Sequence, residues 1–160
     1  MGIGSMTETK FREQAKTLLT RIAAPAMLGG HPISKLQAVA ASAPDDGGFK
    51  DRIIYMLLND DCSLGRLGEG KSDRPLMSMA AYLINTTPQF IEPLRERRGK
   101  KVWPMTQSLI EMIRVNGGRM SYVVLADDLS KQQAQAGEQA LFALMGLRKH
   151  GGWLINETRR

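Results

Sequence analysis

Three pairs of adjacent aspartates are the residues of this sequence with the most obvious capacity for chemistry. They are Asp45-Asp46, Asp60-Asp61 and Asp127-Asp128. Paired carboxylates can hold a divalent metal ion or serve as general acid and general base. Each pair lies at a predicted helix boundary, where aspartate also caps helices and forms turns. The capping interpretation is the simpler one, and it predicts no metal site and no catalytic carboxylate.

The remaining residue types with catalytic potential are few. His31 and His150 are the only histidines, and each lies beside a glycine or proline at a predicted turn. Cys62 is the only cysteine, which excludes an intramolecular disulfide and any cysteine-based zinc cluster. The chain contains no phosphate-binding P-loop, no dinucleotide fingerprint and no HExxH zinc motif. The sequence therefore predicts a protein that is not an enzyme and that needs no cofactor.

The stretch from Glu92 to Pro104, EPLRERRGKKVWP, holds the densest positive charge of the chain. Its basic residues and its aromatic residue are Arg95, Arg97, Arg98, Lys100, Lys101 and Trp103. Arginine binds phosphate through two parallel hydrogen bonds, lysine adds point charge, and tryptophan can stack on an unpaired base. We predict a phosphate-contacting patch, and the alternative is a loop between helices that is charged only because it is solvated.

Composition agrees with a polyanionic partner. The 160 residues carry a formal net charge of +6, with 42% hydrophobic and 24% charged residues, and the isoelectric point is about 9.7. No apolar run is long enough to cross a membrane, and the N-terminus lacks the pattern of a secretory signal. We therefore predict a cytoplasmic protein that binds nucleic acid, DNA in preference to RNA, without a membrane partner. Protein partners and a homo-oligomer remain open.

Helical spacing of apolar residues between Gly-Gly turns predicts the elements that must position these residues. Pro32 and Asp73 mark the starts of two helices, and Thr106 caps a third. The fold class predicted is mainly α, a multi-helix N-terminal region with a C-terminal winged-helix-like unit carrying short strands. The predicted divisions are residues 1–7, disordered or vector-derived; 8–64, a helical region; 65–73, a flexible loop; 74–101, a helical connection ending in the basic loop; and 102–160, the winged-helix-like region.

The C-terminal third resembles the winged helix-turn-helix family. NGGRMSYVVLADDL at 116–129 matches a helix end, a first strand and a second helix, and GEQALFALMGLRKHGGWLI at 137–155 matches a recognition helix and the start of a wing. In that family the second helix of the motif enters the major groove of DNA. The resemblance therefore implies a groove-facing helix over 134–150 with an exposed Glu138. Its candidate DNA-contacting residues are Gln135, Gln139, Arg148 and Lys149.

A fainter resemblance is to the small helical subunit of CRISPR surveillance complexes, which lines a nucleic-acid groove without catalysis. CSLGRL at 62–67 and MSYVVLADDL at 120–129 are similar to fragments of that family's pattern. Together these observations predict a non-catalytic nucleic-acid-binding protein, either a DNA-binding regulator or a subunit of a nucleoprotein complex. The alternative is a helical protein-interaction module, an adaptor or inhibitor, whose basic loop docks an acidic protein partner.

Overall fold

The structure is a computed structural model that describes residues 3–87 and 105–157, with side chains from residue 9 onward. Its helices are α1 (Ile3–Leu18), α2 (Ile33–Ala40), α3 (Arg74–Asn85), α4 (Gln107–Val115) and α5 (Lys131–Met145). Its strands are β1 (Leu19–Arg21), β2 (Met27–Leu28), β3 (His31–Pro32), β4 (Arg52–Leu58), β5 (Gly65–Lys71) and β6 (Met120–Leu129). A 3-10 turn at Arg148–His150 follows α5.

A four-stranded mixed sheet lies at the centre, in the order β1-β6-β4-β5. Strand β1 pairs with β6 in parallel, and β4 pairs antiparallel with both β6 and β5. Helices α1, α3 and α4 contribute to the hydrophobic cluster on one face of the sheet, and α2 and α5 contribute to the cluster on the other. The fold is a three-layer α/β arrangement, and the prediction of a mainly α protein is wrong.

Strand β4 shows why helical periodicity was misleading. Its sequence RIIYMLL is buried from Ile53 to Leu58, with alternate residues in the clusters on the two faces of the sheet. A strand buried on both faces is apolar at every position, so its spacing also fits the i, i+4 pattern of a helix. The helical region expected over 8–64 therefore contains β4, which lies at the centre of the sheet instead.

Strand β5 lies within the segment 65–73, which was expected to be a flexible loop. Its three glycines suggested a loop, but Gly68 is a packing position opposite Tyr55. A Cβ atom built on Gly68 would lie 2.5 Å from Cζ of the Tyr55 ring, so only glycine leaves room for the ring. The glycines make space for large side chains on a paired strand.

Strand β6 replaces the second helix of the expected winged helix. Residues Met120–Leu129 form one ten-residue strand between β1 and β4, and no helix interrupts them. The predicted winged-helix-like unit is therefore not formed, because the strand it would open with belongs to the central sheet. Similarly, residues 153–155, where the resemblance placed the start of a wing, form isolated bridges from Leu154 to Gly65 and Leu147 instead of a strand.

The predicted helix starts are confirmed where local chemistry sets them. Pro32 directly precedes α2, Asp73 precedes α3 with Pro75 inside its first turn, and Thr106 precedes α4. Neither Asp73 nor Thr106 makes a side-chain capping hydrogen bond, so the positions are confirmed but the expected cap of Thr106 is not formed. Helix α5 begins at Lys131, three residues earlier than expected, and ends at Met145, five residues earlier. In the described parts of the chain, no helix is long and apolar enough to cross a membrane.

The C-terminal residues cover the outer edge of β5. The Ile155 amide donates to the carbonyl of Gly65 at 2.9 Å. The Asn156 side chain both accepts from the Leu67 amide and donates to the Leu67 carbonyl, each at 2.9 Å. Asn156 is buried, and it therefore satisfies two backbone groups that an edge strand would otherwise leave unpaired.

We expect Gly137→Ala to lower the free energy of unfolding. A Cβ on Gly137 would contact the carbonyl oxygen of Ala40 and would lie 2.6 Å from Cδ1 of Ile54, so α5 would have to move away from α2 and the sheet. Overpacking of this kind costs about 1–3 kcal/mol, which exceeds the gain of about 1 kcal/mol from alanine's helix propensity. Urea denaturation measures the change.

Ala136→Gly is the matched control, because Ala136 is exposed on the same helix. That change should lower the free energy of unfolding only by the difference in helix propensity between alanine and glycine, about 1 kcal/mol. If Gly137→Ala were as stable as the unmodified protein, α5 would not approach the sheet as closely as described.

Candidate functional site

The start of α5 is fixed by a capping box. The Gln133 amide donates to Oγ of Ser130 at 3.1 Å, and the Ser130 amide donates to Oε1 of Gln133 at 2.9 Å. Lys50 Nζ also donates to that same Oε1 at 2.8 Å and contacts the Asp45 carboxylate at 2.5 Å. The cap and the Lys50 contacts hold the first turn of α5 against the loop before β4.

The outer face of α5, defined by its exposed residues, is polar and free of acidic groups. These residues are Lys131, Gln132, Gln135, Ala136, Gln139 and Ala143. Glu138, the only acidic residue of the helix, is 4% exposed and turns inward, contrary to the expectation that it would face solvent. The predicted contact residues Gln135 and Gln139 thus lie together, one turn apart, on an exposed surface without carboxylates.

The basic turn, Arg148–His150, follows α5 directly. All three side chains are exposed. The backbone of the turn is tightly bonded, with the amides of His150 and Gly152 both donating to the Leu147 carbonyl at 2.9 and 2.8 Å. The predicted contact residues Arg148 and Lys149 are therefore presented by a fixed turn rather than by the helix itself.

The other predicted phosphate contacts cannot be placed. Arg95, Arg97, Arg98, Lys100, Lys101 and Trp103 lie outside the described residues. The proposed interface is therefore built from α5 and the basic turn alone.

The three aspartate pairs have separate environments. Asp45 and Asp46 lie in the loop before β4, and Asp46 accepts a hydrogen bond from the amide of Gly48 at 3.2 Å. Asp127 and Asp128 are exposed near the end of β6. Within the described ranges, no group of three or more His, Cys, Asp or Glu residues is arranged to hold a metal ion.

The third pair lies in the turn between β4 and β5. Arg119 donates to Oδ2 of Asp60 at 2.6 Å, and the Asp60 amide donates to Oδ1 of Asn116 at 3.0 Å. The hydrogen bond from Arg119 is the main cause that holds the pKa of Asp60 below its usual value. Asp61 accepts from the hydroxyl of Ser63 at 2.6 Å, which lowers its pKa in turn. These contacts tie the hairpin turn to the α4–β6 connection.

Two buried glutamates were not recognised from the sequence. Glu69 on β5 is 7% exposed, and its Oε2 is buried without a hydrogen-bond partner. Glu138 on α5 is the second buried glutamate.

Burial raises the pKa of the Tyr55 hydroxyl. The Arg66 guanidinium opposes that rise, and the charge of Glu138 adds to it.

A signal for both glutamates exists in the sequence. Glu138 is spaced four residues from Ala134 and from Phe142, and three from Leu141, so it belongs to the apolar stripe of α5. Glu69 lies two residues after Leu67 on β5, and residues two apart lie on the same face of a strand.

A cavity of about 440 Å³ opens where β1 departs from β6. Its lining residues are Arg21, Ile22, Ala23, Ala24, Val123 and Val124. Arg21 is its only charged lining residue, and neither buried glutamate contributes to it.

Comparison with known proteins yields a limited similarity. The chain is 24% identical over 93 residues to the acetyl-coenzyme A carboxylase carboxyl transferase subunit alpha of Francisella tularensis subsp. novicida, and equally to that of Francisella tularensis subsp. tularensis. The match covers 58% of this chain and 28% of the length of that subunit. No family model and no solved structure matches the chain. The similarity does not extend far enough to assign this chain to that family.

We expect Arg119→Gln to raise the pKa of Asp60 toward its usual range. Because the folded-state pKa of Asp60 is lowered, its ion pair stabilises the fold above the unfolded-state pKa, and the contribution disappears as the pH falls through the folded value. Side-chain carboxyl NMR shifts followed from pH 2 to pH 7 measure the change. The pKa of Asp61 is the internal control, since Ser63 rather than Arg119 lowers it. An unchanged Asp60 pKa would contradict the described ion pair.

Proposed function

We propose that this protein binds nucleic acid without catalysis, using the outer face of α5 and the basic turn Arg148–His150. The observation that carries the proposal is the absence of any carboxylate from the exposed face of α5, which continues into exposed Arg148 and Lys149. A phosphate backbone is repelled by acidic groups and attracted by such a surface.

The chemistry of the surface suits duplex contacts of two kinds. Arginine and lysine bind phosphate through charge-assisted hydrogen bonds. Glutamine amides can contact sugar and phosphate, and they can also donate to and accept from an adenine edge. Helix α5 has 15 residues and is about 22 Å long. This is about two-thirds of the length of one helical turn of a DNA duplex.

The overall charge of the chain supports the same function. A net charge of +6 attracts polyanions from any direction and raises the rate of encounter. DNA is the favoured partner, as the sequence predicted, and the preference between DNA and RNA is part of the test.

We expect Arg148→Ala combined with Lys149→Ala to weaken binding to a labelled DNA duplex several-fold at low salt. Removing two phosphate contacts should also reduce the slope of log affinity against log salt by about 2. Fluorescence anisotropy at a series of salt concentrations, with duplex DNA, single-stranded DNA and RNA, measures both effects.

Lys16→Ala combined with Arg114→Ala is the matched control. It also removes two positive charges, but from α1 and α4 on the other side of the sheet. There Lys16 is paired with Glu13 and Arg114 with Glu111. Equal losses of DNA affinity in the two double variants would show that the protein attracts DNA by its net charge alone. Absence of binding to all three nucleic acids at low salt would refute the proposal and leave the protein-interaction module as the alternative.

A further inference from the structure

The cavity of about 440 Å³ lies where the pairing of β1 with β6 stops. The register pairs Arg21 with Tyr122, and the Ile22 amide donates to the Tyr122 carbonyl at 2.9 Å. In a parallel ladder the next two bonds would join Val124 to Ile22 and to Ala24. Neither bond is formed in the described structure. The two strands therefore diverge and leave backbone hydrogen-bonding groups unused.

The unused backbone groups belong to the walls of the cavity, because Ile22, Ala24 and Val124 all line it. Tyr122 directs its backbone groups toward β1, so Val124, two residues later, directs its own toward the same edge of β6. The gap thus offers the N–H and C=O groups of Val124 on one wall and main-chain groups of residues 22–24 on the other. An extended peptide can add as a strand to an unpaired edge of this kind.

Arg21 gives the closed end of the cavity a positive charge. It belongs to the last paired position of β1, and it is the only charged lining residue. Its side chain is exposed, and no carboxylate among the described residues pairs with it. Arginine binds a carboxylate through two parallel hydrogen bonds. The cavity therefore combines one available cation with apolar side chains and unpaired backbone groups.

We propose that this cavity binds the C-terminal end of an extended peptide, with the terminal carboxylate on Arg21 and the adjoining backbone paired to Val124. A peptide terminus matches the site because it carries one anionic group at the end of a row of N–H and C=O groups. Small apolar side chains suit walls made of alanine, valine and isoleucine. The cavity volume of about 440 Å³ lies within the range of about 300–1,000 Å³ that is usual for ligand sites.

The position of Arg21 determines the direction of the peptide. With its C-terminus at the closed end, the peptide leaves the cavity antiparallel to β6 and toward the exposed Asp127 and Asp128. The pairing of β6 with β4 is irregular beyond Val124, so regular pairing is confined to the last residues of the peptide. A basic residue about three positions before the terminus would lie about 10 Å along β6, beside the two aspartates. No residue of this site belongs to the outer face of α5 or to the basic turn, so the site is independent of the proposed nucleic-acid interface.

The test is fluorescence anisotropy of a labelled short peptide, made of lysines followed by alternating alanine and valine, titrated with the full chain. We expect saturable binding that is about tenfold weaker for the same peptide with an amidated C-terminus, which lacks the charged contact with Arg21. Arg21→Gln should weaken binding of the carboxylate peptide by a similar factor and leave binding of the amidated peptide unchanged.

Arg114→Gln is the matched control, because it removes the same charge from an exposed position on α4. It should bind the carboxylate peptide as the unmodified protein does. Equal affinities for the two peptides, an equal loss of affinity in Arg114→Gln, or no saturation at about 1 mM protein would overturn the proposal.

Amide hydrogen exchange gives a second readout that needs no variant. The bound peptide should slow exchange of the Ala24 and Val124 amides by about tenfold, whereas the Gln132 amide in the first turn of α5 should be unaffected. Unchanged exchange at Ala24 and Val124 would refute the site. If a second copy of the chain fills the gap instead, the protein sediments as a dimer that the peptide does not dissociate, and the proposal fails.

Discussion

Strand β4 is the element on which the rest of the structure depends. It is hydrogen-bonded on both edges, to β5 and β6, and its side chains enter the cores on both faces of the sheet. Its residues Ile54 to Leu58 are almost fully buried. The position of α5 follows from this strand, because Gly137 brings the helix close to Ile54. The close approach at Gly137 helps to set which side of α5 faces the sheet, while Glu69 is placed by the pairing of β5 with β4.

That contact also explains why α5 has two chemically different sides. Gly137 and Glu138 belong to its buried stripe, whereas Gln135 and Gln139 belong to its outer face. A helix presents each stripe in one direction, so the acidic residue and the amides are separated although they are neighbours in sequence. The outer face can attract a polyanion because the helix's only carboxylate is turned into the protein.

The parts of the fold that depend on local chemistry could be predicted from sequence. Pro32, Asp73 and Thr106 marked helix starts correctly, because residue preferences at a helix start act within a few residues, although none of the three makes a side-chain capping hydrogen bond. The sheet could not be predicted in this way, because β4 is apolar at consecutive positions and β5 is rich in glycine. The reason for Gly68 is the ring of Tyr55 on the neighbouring strand, which periodicity along one segment does not reveal. For the candidate site, Gln135 and Gln139 are exposed on α5 as expected, whereas Arg148 and Lys149 lie in the turn after the helix rather than on it. The burial of Glu138 could be inferred from its place in the apolar stripe, but that of Glu69 required knowing that Gly65–Lys71 is a strand.

The most direct test of the central claim is a ¹⁵N-¹H NMR titration of the full chain with a short DNA duplex. The proposed interface predicts that amide shifts concentrate at Gln132, Gln135, Gln139, Arg148 and Lys149, while amides of α1 and α3 on the opposite side of the sheet stay unchanged. Shifts confined to α1 and α3, or no shifts at low salt, would contradict nucleic-acid binding through the outer face of α5.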